Sequence, residues 1–176
     1  MEESLTNIGL QLSTFSKEEA EYSARGVLTE LFPFIVEASR RMSTRAISRW
    51  LSEFHGVKLS AVSIAKALRN PERYWDDYLE MLEPFARRVE EATDVTVEDL
   101  LSNTDLFHAI DSDPENFFKG LTTPEQYHED LGEMTHALSE VSKRWYCLEE
   151  STRTKASAAL HRLVSDGGEE SQPEES

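Results

Sequence analysis

The sequence predicts an all-α protein, with an N-terminal helical domain followed by a helical, dimerising C-terminal part that contains one long helix. Three observations predict it. Apolar residues recur with the 3.6-residue period of amphipathic helices along most of the chain. Ser, Thr, Asn or Pro stands where most of these stretches begin. Alternating strand patterns are missing, and seven Gly and six Pro in 176 residues are too few for a loop-rich β protein.

Residues 1–15 show no period and are expected to form an irregular arm. Ser16-Lys17-Glu18-Glu19 fits a capping box, in which the Ser16 hydroxyl and the Glu19 carboxylate close a first turn reciprocally. Ala20, Ala24, Val27, Leu28 and Leu31 follow at helical spacing. Pro33 removes a helical hydrogen bond and disfavours helix at Phe32, so a kink or break is expected there, with a short second piece over residues 34–41. Ser43 or Thr44 caps the next helix, whose Ile47, Trp50, Leu51 and Phe54 lie on one face and are expected to point inward. Gly56 stands where a left-handed C-cap is wanted. Ser60 caps a further helix that turns Ala61, Ile64, Ala65 and Leu68 inward, and Asn70-Pro71 ends it.

With Asn70 as cap and Pro71 in its first turn, another helix follows. It carries Trp75, Tyr78, Leu82, Phe85 and Val89 as a stripe, with a bend at Pro84. Thr96 starts a short helix over residues 97–101, and Asp113-Pro114 opens another. Thr123-Pro124 begins a helical stretch expected to run unbroken to about residue 165, about 60 Å at 1.5 Å per residue. Its Tyr127, Leu131, Met134, Leu138, Val141, Trp145 and Leu148 step alternately by four and three, a heptad seam. A seam on so long a helix suits a homodimer core; an intramolecular bundle with the Trp75-to-Val89 stripe is the alternative. The boundaries read from these patterns are 1–92 for the N-terminal domain and 93–165 for an acidic helical oligomerisation or interaction region. Residues 166–176 read as a disordered acidic tail.

Composition excludes several classes. The longest apolar run, residues 31–36, is far short of the about 20 residues of a membrane span. The start, Met1-Glu2-Glu3-Ser4, lacks the basic and apolar regions of a signal peptide, so a cytoplasmic protein without a membrane partner is expected. A single cysteine, Cys147, excludes an intramolecular disulfide framework and zinc sites built on paired cysteines.

Charge is distributed unevenly. The chain carries 18 Lys and Arg against 34 Asp and Glu, net −16. Yet residues 40–73 hold eight basic groups against only Glu53 and Glu72, net +6, while residues 74–117 hold two against 13, net −11. A compact basic island in an acidic chain is the charge pattern of a nucleic-acid contact; a solvated helix face or an internal salt-bridge partner is the plainer reading.

The island coincides with a motif. Residues 43–69, STRAISRWLSEFHGVKLSAVSIAKALR, give in order a Ser/Thr start, an Ile-centred helix, a Gly-Val turn and a second helix reading Ser-x-x-x-Ile-Ala-x-x-Leu. This stretch resembles the helix-turn-helix segments of bacterial repressors, resolvases and plasmid- or phage-borne regulators. The resemblance places a helix-turn-helix at 43–70 and implies sequence-specific binding of double-stranded DNA by a small transcriptional regulator. A homodimer would double the contacts on a palindromic site. The second helix would lie in the major groove with Val62, Ser63, Lys66, Ala67 and Asn70 turned to base edges. Arg45, Arg49, Lys58 and Arg69 would contact phosphates.

Catalytic, metal and cofactor chemistry finds little support. Glu125-x-x-His128 and Glu133-x-x-His136 match the spacing of di-iron carboxylate bundles, but both fall on one expected helix rather than two. Cys147 neighbours Lys143 and Arg144 without a legible His/Asp constellation, so it reads as a plain thiol. Phosphate loops and nucleophile elbows are missing, and no enzyme, cofactor or metal is expected. The acidity supports a competing function, in which the acidic helices bind a basic protein partner, as an antitoxin or a DNA mimic does.

Overall fold

The computed structural model describes residues 23–118 and 123–166. The expected arm over 1–15, the capping box of Ser16 and Glu19 and the tail beyond Asp166 lie outside the described residues. The fold is all-α, with no strand among the described residues. The chain divides into two compact units, residues 1–74 and 75–176. The division falls near the start of the helix that begins at Glu72.

In the first unit, α1 (Ala24–Ala38) begins at Ser23, whose Oγ accepts from the Gly26 N–H at 3.0 Å. It continues through Pro33, so the expected break and the separate piece over 34–41 do not form. An interior proline costs a helix about 3 kcal/mol. The same helix buries Leu28, Phe32, Ile35 and Val36, each worth about 1.5–3 kcal/mol, and burial outweighs the lost bond. Next, α2 (Thr44–His55) is capped by Ser43, whose Oγ accepts from Ala46 N–H at 3.2 Å. It ends at Gly56 in the left-handed region, φ 67°. After residues 56–60, α3 (Ala61–Arg69) starts at Ser60, whose Oγ accepts from Ser63 N–H at 3.0 Å. The expected start and stop signals of this pair all stand.

The buried faces differ from expectation. Only Ile47 and Leu51 of α2 are buried, while Trp50 is 46% and Phe54 70% exposed. On α3, Ile64 and Ala67 are fully covered, and Ala61, Ala65 and Leu68 are half-buried. The reason is the number of neighbours. Helix α3 packs against both α1 and α2, which widens its buried arc to include Ala67. Helix α2 is left with a narrow buried stripe, and its remaining apolar side chains face outward.

Helix α4 (Glu72–Ala92) starts one residue later than expected and runs through Pro84 without interruption. Asn70 does not cap it; its amide turns back to the Lys66 carbonyl, 3.4 Å away, at the end of α3. From Trp75 onward α4 belongs to the second unit and buries Trp75, Tyr78, Leu79, Leu82, Ala86 and Val89. Two short helices follow, α5 (Val97–Ser102) and α6 (Thr104–Ser112), joined at Asn103, whose Oδ1 accepts from Leu106 N–H at 3.1 Å. The latter was not anticipated from the pattern; it buries Phe107 and Ile110. Helix α7 (Pro114–Phe118) begins at Pro114 as expected.

The expected unbroken helix over 123–165 is two helices. Helix α8 (Pro124–Val141) passes into a π-helical turn, Ser142–Tyr146, and α9 (Glu150–Asp166) starts afresh. The break answers a need elsewhere. Carbonyls at the end of a helix have no intrahelical partners. Those of Leu100 and Leu101, closing α5, accept from the Tyr146 hydroxyl and from Trp145 Nε1–H, the latter at 2.8 Å. The heptad seam is consumed here as well. Met134, Leu138, Val141, Trp145 and Leu148 are buried inside the unit. Tyr78 donates to the Arg144 carbonyl, and Arg88 of α4 pairs with Asp130 at 3.0 Å and Glu133 at 2.8 Å. The seam from Met134 to Leu148 is thus buried within the chain, as in the alternative of an intramolecular bundle with α4.

Candidate nucleic-acid interface

Eight basic side chains of residues 40–73, Arg40, Arg41, Arg45, Arg49, Lys58, Lys66, Arg69 and Arg73, are all exposed. Arg45, Arg49, Lys58 and Lys66 make no ion pair among the described residues, in contrast to the arginines of the second unit, where Arg87, Arg88, Arg144 and Arg162 each hold a carboxylate. Keeping like charges exposed and unneutralised on one small unit has an electrostatic cost that an anionic partner removes.

The geometry of α3 sorts the expected base-facing residues. Val62 is 74% exposed, and Ser63, Lys66 and Asn70 are exposed with it. At 100° per residue, Val62, Ser63, Lys66, Arg69 and Asn70 fall within one arc of about 120° on the helix. Ala67 does not join them. It has no exposed surface and faces the core between α3 and its neighbours, so it cannot touch a thymine methyl. Ser63 is partly engaged, its Oγ lying 2.8 Å from Ser60 Oγ in the cap.

Of the expected phosphate contacts, Arg45 and Arg49 lie one turn apart on α2, and Lys58 lies in the turn. Arg69 Nε donates to the Ala65 carbonyl at 3.2 Å, so it closes the end of α3 while sharing the outward arc with Lys66. A side-chain bond ties α2 to the turn: Ser48 Oγ donates to the Leu59 carbonyl at 2.6 Å, with Leu59 buried beside it, while Val57 N–H donates to the Leu51 carbonyl at 3.0 Å.

A feature outside the expected set is the aromatic surface of α2. Trp50 lies against His55, ring centroids 4.4 Å apart, and 6.3 Å from Phe54. Met42, Ala46, Arg49, Trp50, Glu53 and Phe54 line a shallow groove of about 280 Å³. The spacing of Ala46, Trp50 and Phe54, each four residues from the next, is visible in the sequence; that none of the described residues covers it is not.

The second unit offers no comparable constellation. Among the described residues no cluster of three or more metal-ligating side chains occurs. Glu133, half of one Glu-x-x-His pair, is held by Arg88, and its His136 is exposed with the ring edge-on to Phe85 at 6.1 Å. The side chain of Glu125 in the other pair lies outside the described residues. Cys147 is exposed and donates to the Lys143 carbonyl at 2.7 Å. No helix among the described residues is long and apolar enough to cross a membrane.

No protein family, curated protein or solved structure matches this chain.

Proposed function

We propose that the protein is a sequence-specific double-stranded DNA-binding regulator that uses α2 and α3 as a helix-turn-helix. The observation that carries this reading is the exposed outer arc of α3, with Lys66 at its centre, set in an exposed basic island of net +6 within a chain of net −16. Helix α3 enters the major groove. Lys66 reaches guanine acceptors, Ser63 and Asn70 donate or accept, and Val62 packs on a thymine methyl. Arg45, Arg49, Lys58 and Arg69 contact phosphates and supply most of the salt dependence. The acidic second unit is repelled by the duplex, which orients the protein with its basic face forward.

Selection of bound sequences from a random duplex pool by the purified chain tests this. The expected result is an enriched motif whose affinity falls steeply with salt. A pool with no enrichment, and no salt-sensitive binding of random duplex at low ionic strength, overturns the reading and leaves the acidic helices, as a surface for a basic protein, as the functional part.

A further inference from the structure

Helix α2 shows a helix-packing ridge that no helix among the described residues covers. Ala46, Trp50 and Phe54, with Met42 just ahead of the helix, follow one another at intervals of four residues, the row that interdigitates in the commonest class of helix packing, with axes crossing at about −50°. Exposure is 38% for Met42, ahead of the helix, and 46% for Trp50 and 70% for Phe54 on it.

The pattern along the ridge is self-complementary. An antiparallel copy related by a two-fold axis at Trp50 brings the small Ala46 of one chain opposite the large Phe54 of the other, twice, with the two Trp50 rings meeting at the axis. Charge follows the same symmetry. Arg49 and Glu53 lie on one flank of the ridge, one turn apart, and neither has an ion-pair partner among the described residues, although i,i+4 neighbours of opposite charge commonly pair. In the two-fold arrangement like flanks meet, and Arg49 of one copy comes within about 3 Å, along the axis, of Glu53 of the other. A residue i facing j while j faces i is the signature of an isologous interface.

We propose that this ridge is the self-association surface of the protein, and that its occupant is the same ridge of a second copy. Most of the heptad seam, Met134, Leu138, Val141, Trp145 and Leu148, is already buried within the chain and is not free for this role. With few exposed side chains on the ridge, the dimer is weak and concentration-dependent in solution. The ridge shares only Arg49 with the proposed phosphate contacts, and its self-association is tested without DNA.

Sedimentation of the full chain over a wide concentration range, combined with tryptophan emission, provides the test. Trp75 and Trp145 are 4% and 1% exposed, so iodide-accessible emission reports Trp50. The expected result is a rise from one to two chains, with Trp50 emission shifting to the blue and losing iodide access in step. Trp50→Ala and Phe54→Ser should each weaken association by about tenfold or more, with unchanged circular dichroism because both side chains are exposed. Arg49→Glu and Glu53→Arg each set like charges face to face and should be monomeric alone, whereas their equimolar mixture should dimerise. Pairing within one helix cannot produce that recovery. A chain that stays monomeric throughout, a dimer indifferent to the ridge variants, or a mixture that fails to recover overturns the proposal. Shielding of Trp50 in a monomeric chain by a single-stranded oligonucleotide would overturn it too and assign the ridge to nucleic acid.

Discussion

Ser48 and Leu59, 11 residues apart, are joined by a hydrogen bond of 2.6 Å from the serine hydroxyl to the leucine carbonyl, which ties the middle of α2 to the turn before α3. Leu59 is 4% exposed, so water does not readily replace the donor. Ser48→Ala should destabilise the first unit by about 1–3 kcal/mol, the usual cost of orphaning a buried acceptor. Urea unfolding followed by circular dichroism checks this; an unchanged midpoint would show that the bond does not hold the turn.

Gly56 ends α2 at φ 67°, and a Cβ placed there meets nothing within 4 Å. Strain at Gly56→Ala is therefore conformational rather than steric, and about 1 kcal/mol of stability should be lost. Gly56→Asn should recover part of it, since Asn tolerates the left-handed region better than Ala. Equal midpoints for the two variants would argue against this account.

Ala67 and Val62 test the orientation of α3. Ala67→Leu forces extra volume into a fully buried position and should cost about 1–3 kcal/mol. Val62→Ala, at a site 74% exposed, should change stability by no more than about 0.5 kcal/mol while weakening DNA binding. Thermal melts and duplex titrations of the two variants distinguish core from surface.

Lys66 and Arg45 carry different parts of the proposed DNA contact. Lys66→Ala should weaken binding to the selected site by about 1–3 kcal/mol and relax discrimination at one base pair. Arg45→Ala should weaken all duplexes nearly equally and reduce the slope of log affinity against log salt by about one unit. Both side chains are exposed, so folding should be unaffected. Parental affinity, specificity and salt slope in both variants would refute the contact.

Tyr146 makes the second unit sensitive to alkali. Burial pushes its phenol up to about 12 from 10.0, with the Arg153 guanidinium, stacked over the ring, pulling the other way. The protonated phenol is the neutral form, so the native state holds this proton more tightly than the unfolded chain does. The associated stability is full below about pH 10 and is lost as pH rises from 10 toward 12. Tyr146→Phe should be less stable at pH 8, lacking the bond to the Leu100 carbonyl, yet show a shallower decline above pH 10. Parallel stability curves for the two proteins across this range would rule the assignment out.

Where helices begin and end was largely legible. Ser43, Ser60 and Thr96 each accept from the N–H three residues on, and Gly56 takes the left-handed turn, because capping involves atoms a few residues apart. The exceptions share a cause. Pro33 should break α1 by local rules, but four buried side chains around it hold the helix together. The stretch from Thr123 should continue past Tyr146, but the free carbonyls of Leu100 and Leu101 draw Trp145 and Tyr146 out of register.

The basic island and most of the outward arc of α3 were likewise readable, since charge belongs to the residue and exposure of Lys66, Val62, Ser63 and Asn70 follows from helical period. Ala67 and the Trp50–Phe54 pair depart from their expected places for one physical reason. Periodicity identifies which residues share a helix face, whereas burial depends on how many neighbouring elements cover that face. Helix α3 has α1 and α2 upon it and hides Ala67; α2 buries Ile47 and Leu51 and leaves Trp50 and Phe54 to solvent. The sequence by itself determined the all-helical class, where most helices start, and the charge carried by each segment. Only the tertiary structure decided which apolar stripes became core, because that choice is made by contacts between elements distant in the chain.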